Sequence, residues 1–575
     1  MAAPKAALLT GGRAQLIAQA YEAYWRRFGE ITRRARDRFE KRAWREMQED
    51  ARERQALYQR GVDDTLRVLR REPAELQHDR QLWRQTKRVY RGLVTERDDT
   101  ELAETFFNSI TRRVFTTVGV DPEVEFVDWE YRAPEPRRGM AELYRSYPAR
   151  TGLEELVAQG LRDIGLAFCN LQGDARLIAR ELERQLAALG SGERIEAIEM
   201  LSSLFFRTQF AYLVGRVWTP QRLVPLVIAL VNPGGRGAVA DAVLTAPQEI
   251  VSVFSLSRTY FLVETSCPRA LVAFLQTLMP SKARSELFTA VGFKRHGKTE
   301  LYRYLHLFLQ RSGERLEIAR GDRGLVMVVF TLPSFDLVFK AIRDKPGLPK
   351  DTTREEVIAR YRFVFEHDRV GRLVDAQEFE HLTIERSQFD GGLLKELLEH
   401  APGTFQVSGD SVDIRHIYVE RKVTPLNLFV REQPEEKVRE VIDDYGMAIK
   451  ELAAANIFPG DVLLKNFGVK RDGRVIFYDY DELCLLSEIH FREMPACGDD
   501  EEMSSEPWFY VGEHDVFPSE FERFLGLTGE HRALFKEAHG DLFGTEFWRR
   551  MQERHAAGEL IQVFPYRRHL RRVGD

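Results

Sequence analysis

Apolar positions recur at helical spacing from the start of the chain to about Arg311. Across residues 21–60, Trp25, Phe28, Phe39, Trp44 and Leu57 are set among many charged side chains, the pattern of long amphipathic helices with solvated outer faces. Leu153, Leu156, Val157, Leu161 and Ile164 mark a further buried helical stripe. Two segments interrupt the pattern. Residues 124–127 (VEFV) alternate as a strand does. Residues 234–237 (GGRG) lack a preceding strand and the Lys-Ser/Thr of a phosphate loop, so they read as a turn between helices. The first 312 residues are therefore expected to be all-helical.

The pattern changes near Leu316. Residues 324–332 (GLVMVVFTL) and 335–342 (FDLVFKAI) predict neighbouring strands about a turn at Pro333 and Ser334. Residues 352–365 predict a helix, and 372–383 and 412–419 predict further strands. Val438, Val441, Ile442, Tyr445, Ile449 and Leu452 fall on one face of a helix over 435–454. A β-rich lobe before a helical lobe makes an α+β arrangement with a cleft between.

Composition is that of an ordinary globular chain of more than one domain: 575 residues, 44% apolar and 30% charged. A net charge of −5 does not point to nucleic acid as a partner. Cys169, Cys267, Cys484 and Cys497 are too scattered for a disulfide framework or zinc knuckle, which suits a reducing cytoplasm. The apolar run 223–231 is too short to span a bilayer, and the N-terminus lacks a clean signal peptide, so no membrane association is expected.

Four features carry chemistry in a fixed order. Residues 318–328 (IARGDRGLVMV) form a glycine-bearing turn opening into a strand, where backbone N–H groups can approach phosphate oxygens. The nucleotide-binding set expected there is Ala319, Arg320, Gly321, Asp322, Arg323, Gly324 and Leu325. Lys340, flanked by bulky strand residues, points a cation into the cleft, with Glu355 or Glu356 of the next helix as its acidic partner. Residues 456–468 (NIFPGDVLLKNFG) place Asp461 and Asn466 at the spacing of the protein-kinase catalytic loop, although Pro459 and Gly460 replace its His-Arg. Asp461 orients a hydroxyl proton, Asn466 holds a metal and Lys465 brings a cation toward the γ-phosphate. Residues 474–481 (RVIFYDYD) deliver Asp479 as a second hard-oxygen ligand suited to Mg²⁺. A hinge at residues 418–423 completes the cleft, with Glu420 and Val423 in the nucleotide-binding set. The chain then divides into a helical part, 1–312, and a bilobal protein-kinase-like part, 313–575, with lobes meeting near residue 420.

The stretches 326–335 (VMVVFTLPSF), 367–372 (HDRVGR), 454–461 (AANIFPGD) and 477–482 (FYDYDE) closely resemble the bacterial isocitrate dehydrogenase kinase/phosphatase family. The resemblance implies a cytoplasmic homodimer that phosphorylates a serine of NADP-dependent isocitrate dehydrogenase, and removes that phosphate. Both reactions use one nucleotide site with ATP or ADP and Mg²⁺. The helical part binds AMP, and residues 112–119 are a candidate contact. It also implies Lys340 as the ATP lysine, Asp461 as the catalytic aspartate, Asn466 and Asp479 as metal ligands, and Asp375 as a residue of the phosphatase reaction. No Cys-x₅-Arg loop supplies a separate phosphatase. The competing readings are a small-molecule phosphotransferase on a kinase-like fold and a silent scaffold; the latter has no need of the Lys340, Asp461, Asn466, Asp479 set. The insert 495–517 and the basic residues 567–572 are candidate docking segments for the protein substrate, the bland reading of the tail being a solvated one.

Overall fold

A computed structural model describes residues 2–127, 143–150, 152–190, 194–255, 260–321, 323–495 and 509–572, with side chains from Thr10 and without that of Glu366. Much of the insert 495–517, Cys497 and Asp322 thus lie outside the described residues. No described helix is long and apolar enough to cross a membrane.

The N-terminal region opens with helices Ala2–Glu40 and Trp44–Leu69, joined by Arg80–Val94 and Thr100–Phe115. Their apolar stripes meet in an aromatic core of Tyr21, Phe28, Trp83, Tyr90, Phe106 and Phe107. Phe39 is buried, and Trp25, Trp44 and Leu57 pack at the edges. The helices Leu153–Asp163 and Leu171–Leu189 follow, the first burying Leu156, Val157 and Leu161 as the stripe requires.

The all-helical expectation fails between residues 144 and 244. Strands β1 (Tyr144–Pro148), β2 (Ala197–Leu201), β3 (Phe205–Arg207), β4 (Phe210–Trp218), β5 (Leu223–Val231) and β6 (Val239–Leu244) form an antiparallel sheet ordered β1-β2-β4-β5-β6, with β3 on β4. The central strands are buried on both faces, so they read as continuous apolar runs without the alternation that marks a half-exposed strand. Pro225 lies in β5 ahead of the stretch paired with β6, where its missing N–H breaks no bond of that ladder. The 234–237 turn therefore joins two strands rather than two helices. Residues 124–127 are not a strand either. The Asn108 side chain does the pairing: its Nδ2 donates to Phe126 O at 2.8 Å and its Oδ1 accepts from Phe126 N at 2.7 Å.

Helix Lys294–Ser312 ends at Gly313, which takes φ +66° as a helix terminus commonly demands. This helix is not a free linker. Its Leu301, Leu305 and Leu309 enter the core of the next lobe beside Leu316, Phe330 and Phe335. That lobe contains β7 (Glu317–Ile318), β8 (Met327–Thr331), β9 (Leu337–Ile342), β10 (Ala376–Glu385), β11 (Phe405–Ser408) and β12 (Ser411–Arg421), ordered β10-β12-β9-β8-β7 with β11 on β12. Helix Arg354–His367 follows β9, capped by a Thr353–Glu356 box. The larger lobe is built around helix Glu435–Ala454, which buries all six apolar residues of its stripe.

The tail is docked through its apolar residues, while Arg567, Arg568, His569 and Arg572 stay exposed. After helix Thr545–Ala556 the chain crosses back to the N-terminal sheet. Gln209 Nε2 donates to Leu560 O at 2.9 Å, Phe564 packs edge-on against Phe210, and Tyr566 OH donates to the buried Asp241 at 2.5 Å. Arg572 pairs with Glu181. Tyr566 and Leu570 thus complete the N-terminal core. Tyr566→Ala is expected to cost about 3 kcal/mol, because an aromatic leaves a packed core and Asp241 loses a donor. A thermal midpoint equal to that of the parent would show that the tail carries no load.

Candidate nucleotide and phosphoryl-transfer site

Lys340 sits on the central strand β9, opposite Val329 of β8 and Tyr418 of β12. Lys340 is buried, only 7% exposed. Nζ lies 2.8 Å from Glu420 Oε2 and donates to Tyr478 O at 3.1 Å. Tyr478 immediately precedes Asp479, so this bond reaches across the cleft to the larger lobe.

The acidic partner of Lys340 is Glu420, neither Glu355 nor Glu356. Both of those are exposed in the first turn of their helix. Glu356 Oε2 accepts from Thr353 N at 2.9 Å and its own N–H donates to Thr353 Oγ1. The T-x-x-E pattern at Thr353 was the available signal that Glu356 serves as a cap. The helix reaches the ion pair through Tyr361 instead, whose OH donates to Glu420 Oε1 at 2.9 Å. Glu420, expected to face the nucleotide, is thus engaged by Lys340 and Tyr361.

The glycine-bearing turn is anchored at both ends. Ala319 N donates to Val329 O, and Gly324 O accepts from Arg343 Nε, each at 3.0 Å. Gly321 takes φ +122°, and a Cβ there would stand 4.0 Å from Pro425 Cγ, so the backbone angle and not space calls for glycine. Gly324 is needed for a different reason: a Cβ there would stand 2.6 Å from Met327 O. Arg320 pairs with Glu432 at 2.5 Å and Arg323 with Glu396. Leu325 O accepts from Gly347 N at 2.7 Å. Val423 packs on Gly468 at the hinge, where any side chain at 468 would collide with it.

On the larger lobe, Gly460 has φ +75° and lies on Glu482, leaving no room for a Cβ. That close approach explains the glycine before Asp461. Half-burial pushes the Asp461 carboxyl up, and the negative charges of Glu482 and Asp479 add to the effect while Lys465 opposes it. Asn466 is buried, and its carbonyl accepts from Tyr478 N at 3.1 Å, which fixes the Asp461–Asn466 loop beside Asp479. Tyr478 OH closes the same unit on Lys465 O. The Asp481 carboxyl is pushed up to about 6, by burial and then by Asp479. Lys350, from the small lobe, approaches this acidic edge with Nζ 2.8 Å from Glu482 Oε1. The carboxamide of Asn466 and the carboxylate of Asp479 are hard oxygen donors in a region of excess negative charge, which suits Mg²⁺.

Lys340 thus reaches the residue before Asp479, Asn466 is tied to that same residue through its backbone, and Asp461 feels the charges of Lys465 and Asp479. Asp375 is joined to this group through the preceding residue. Its neighbour Val374 donates to Phe477 O at 3.1 Å and accepts from Tyr480 OH at 2.8 Å. Its carboxylate, which Gln377 Nε2 meets at 3.4 Å, lines a cavity of about 1020 Å³ between the N-terminal region and the small lobe. Glu420, Arg421 and Glu286 also line that cavity. Arg112, in turn, donates to Gly119 O and to Glu125, while Gly119 N donates to His381 O of β10. The 112–119 segment is thus a brace against the small lobe.

An isocitrate dehydrogenase kinase/phosphatase (AceK) kinase domain model matches residues 314–568, and the corresponding regulatory domain model matches residues 14–313. The chain belongs to the isocitrate dehydrogenase kinase/phosphatase family. A relative named isocitrate dehydrogenase kinase/phosphatase from Anaeromyxobacter sp. (strain Fw109-5) is 49% identical over 576 residues, covering 100% of this chain and 99% of the relative. Another so named, from Anaeromyxobacter dehalogenans (strain 2CP-C), is 47% identical over 573 residues, covering 97% of each. In this family member, spacing pointed to the Lys340, Asp461, Asn466 and Asp479 set. The polar residues that hold the set in place were not legible, namely Glu420 as ion-pair partner, Tyr361, Lys350 and Arg372.

Proposed function

We propose that this chain phosphorylates a serine of isocitrate dehydrogenase, removes the same phosphate, and performs both reactions at one nucleotide site. The observation that supports this most is the bond from the Lys340 ammonium to Tyr478 O, which brings the small-lobe cation to the residue before Asp479. The catalytic part begins near residue 313 and the regulatory part ends near 312.

Lys340 binds the α- and β-phosphates of ATP. Asn466 and Asp479 would hold Mg²⁺, which would supply positive charge to offset that of the phosphates. Asp461 accepts the serine hydroxyl proton as the serine oxygen bonds to the γ-phosphorus and the bond to ADP breaks. Lys465 offsets charge on the transferring group. In the opposite direction the phosphorus–serine bond breaks, Asp461 returns a proton to the serine oxygen, and the phosphoryl group passes to ADP or to water. Asp375 orients that water, supported by the backbone bonds that hold residue 374 against residues 477 and 480. Asp375→Asn is accordingly expected to lower dephosphorylation about 10²-fold and phosphorylation far less. Equal losses in both assays would remove its special role.

AMP acts from the regulatory part, in a homodimeric cytoplasmic enzyme that sets the branch between the Krebs cycle and the glyoxylate bypass. The interdomain cavity suits AMP better than residues 112–119. It is large enough for a mononucleotide, Arg97, Arg269, Arg284 and Arg303 line it, and it shares Glu420 with Lys340. The test is incubation with isocitrate dehydrogenase, ATP and Mg²⁺. Dehydrogenase activity should fall as phosphate is incorporated, recover on adding AMP, and stay constant when Mg²⁺ is chelated. Loss of activity without phosphate incorporation would contradict the reading.

A further inference from the structure

The acidic edge formed by Asp461, Asp479, Asp481 and Glu482 receives a second small-lobe cation that no motif announced. Lys350 lies on the loop between β9 and helix Arg354–His367. Its Nζ stands 2.8 Å from Glu482 Oε1 and 3.9 Å from Asp481 Oδ2. Side-chain exposures of 30% for Lys350 and 55% for Glu482 mean that the pair adds little to global stability. Its interest lies in what the two ends are attached to.

At one end, Lys350 N donates to Gly347 O, and Gly347 N donates to Leu325 O at 2.7 Å. Arg343 adds its backbone N–H to Val326 O at 2.9 Å and its Nε to Gly324 O at 3.0 Å. A Cβ on Gly347 would press on Leu325 at 3.0 Å, so the loops lie in direct contact. The Lys350 loop and the glycine-bearing turn are stitched into one body. At the other end, Glu482 lies under Gly460, beside Asp461. The Lys350–Glu482 pair thus connects the turn over the nucleotide to the loop that carries the catalytic aspartate.

We propose that Lys350 is a positioning residue for phosphoryl transfer: its ion pair with Glu482 and Asp481 sets the distance at which the glycine-bearing turn closes over the Asp461–Asp479 edge. The inference rests on the shared-site reading above. A cation at that distance also offsets the repulsion among the carboxylates it faces.

Lys350→Met is expected to lower kcat about 10–100-fold in both directions, since small misplacements of reacting groups carry penalties of that order. The apo thermal midpoint should stay within about 1 °C of the parent, as for an exposed pair. Lys350→Arg should retain most of the activity. The exchange Lys350→Glu with Glu482→Lys should recover at least tenfold over Lys350→Glu alone. Unchanged kcat in Lys350→Met, or no recovery in the exchange, would overturn the proposal. Lys340→Met, assayed in parallel, separates the layers. If it loses both reactions while Lys350→Met loses neither, the shared site stands and the positioning role falls. If Lys340→Met keeps either reaction, the shared site itself falls.

Discussion

Lys340→Met is expected to lose both phosphorylation and dephosphorylation by roughly 10³-fold or more, the scale of removing a charge from a phosphoryl-transfer site. It should also lose about 3–5 kcal/mol of stability, because Glu420 is 1% exposed and would be left as a buried charge without its cation. Tyr361 OH still donates to Glu420, which does not replace an ammonium at 2.8 Å. The companion change Glu420→Gln in the same chain should return most of the stability and none of the activity. Chemical denaturation and the two activity assays, run on the single and double variants, separate these effects. A double variant that regains activity would show that Lys340 serves only to hold Glu420.

Arg372→Ala is expected to be the most destabilising single change outside the nucleotide site. Its guanidinium is 3% exposed. Nη1 and Nη2 each meet Asp444 at 2.7 Å, Nε meets Glu451 at 2.6 Å, and Nη1 also donates to Val475 O at 2.8 Å. Removing one member of a buried ion network typically costs about 3–5 kcal/mol, since Glu451 stays buried with Arg474 as its remaining cation and Asp444 loses its two-pronged partner. Arg372→Lys should rescue little, because an ammonium cannot make the two-pronged contact. The acid dependence follows. Burial alone would push the Asp444 carboxyl up, but Arg372 outweighs it and holds the group below its ordinary range. A carboxylate so held contributes stability that is full above its unfolded pKa and is lost as pH falls through the lower, folded one. Acid unfolding of the parent should therefore be steeper than that of Arg372→Ala. Because Arg372 also ties Val475 to the backbone leading into Asp479, kcat should fall in the folded fraction.

Local pattern was most informative where one face of an element is wet. Helix Glu435–Ala454 has an apolar stripe against a charged face, and its limits coincide with the predicted ones. The strands around Lys340 and the helix after them were legible too, together with the turn at Pro333. The sheet between residues 144 and 244 was hidden because β4 and β5 are covered on both faces, which erases alternation. In the candidate site, motif spacing pointed to Asp461, Asn466 and Asp479, since short loops impose short separations. Glu420 and Lys350 depend on strand register and loop packing, which local sequence does not encode. The docking of Tyr566 on Asp241 links residues 325 positions apart and leaves no periodic trace.

Labelling with an adenosine sulfonyl fluoride, mapped at Lys340 by peptide analysis, addresses the shared nucleotide site most directly. Phosphorylation and dephosphorylation of isocitrate dehydrogenase should decline together, in proportion to modification of Lys340, and excess ATP with Mg²⁺ should protect both. Full dephosphorylation by a chain whose Lys340 is completely modified would show that the two reactions occupy separate sites.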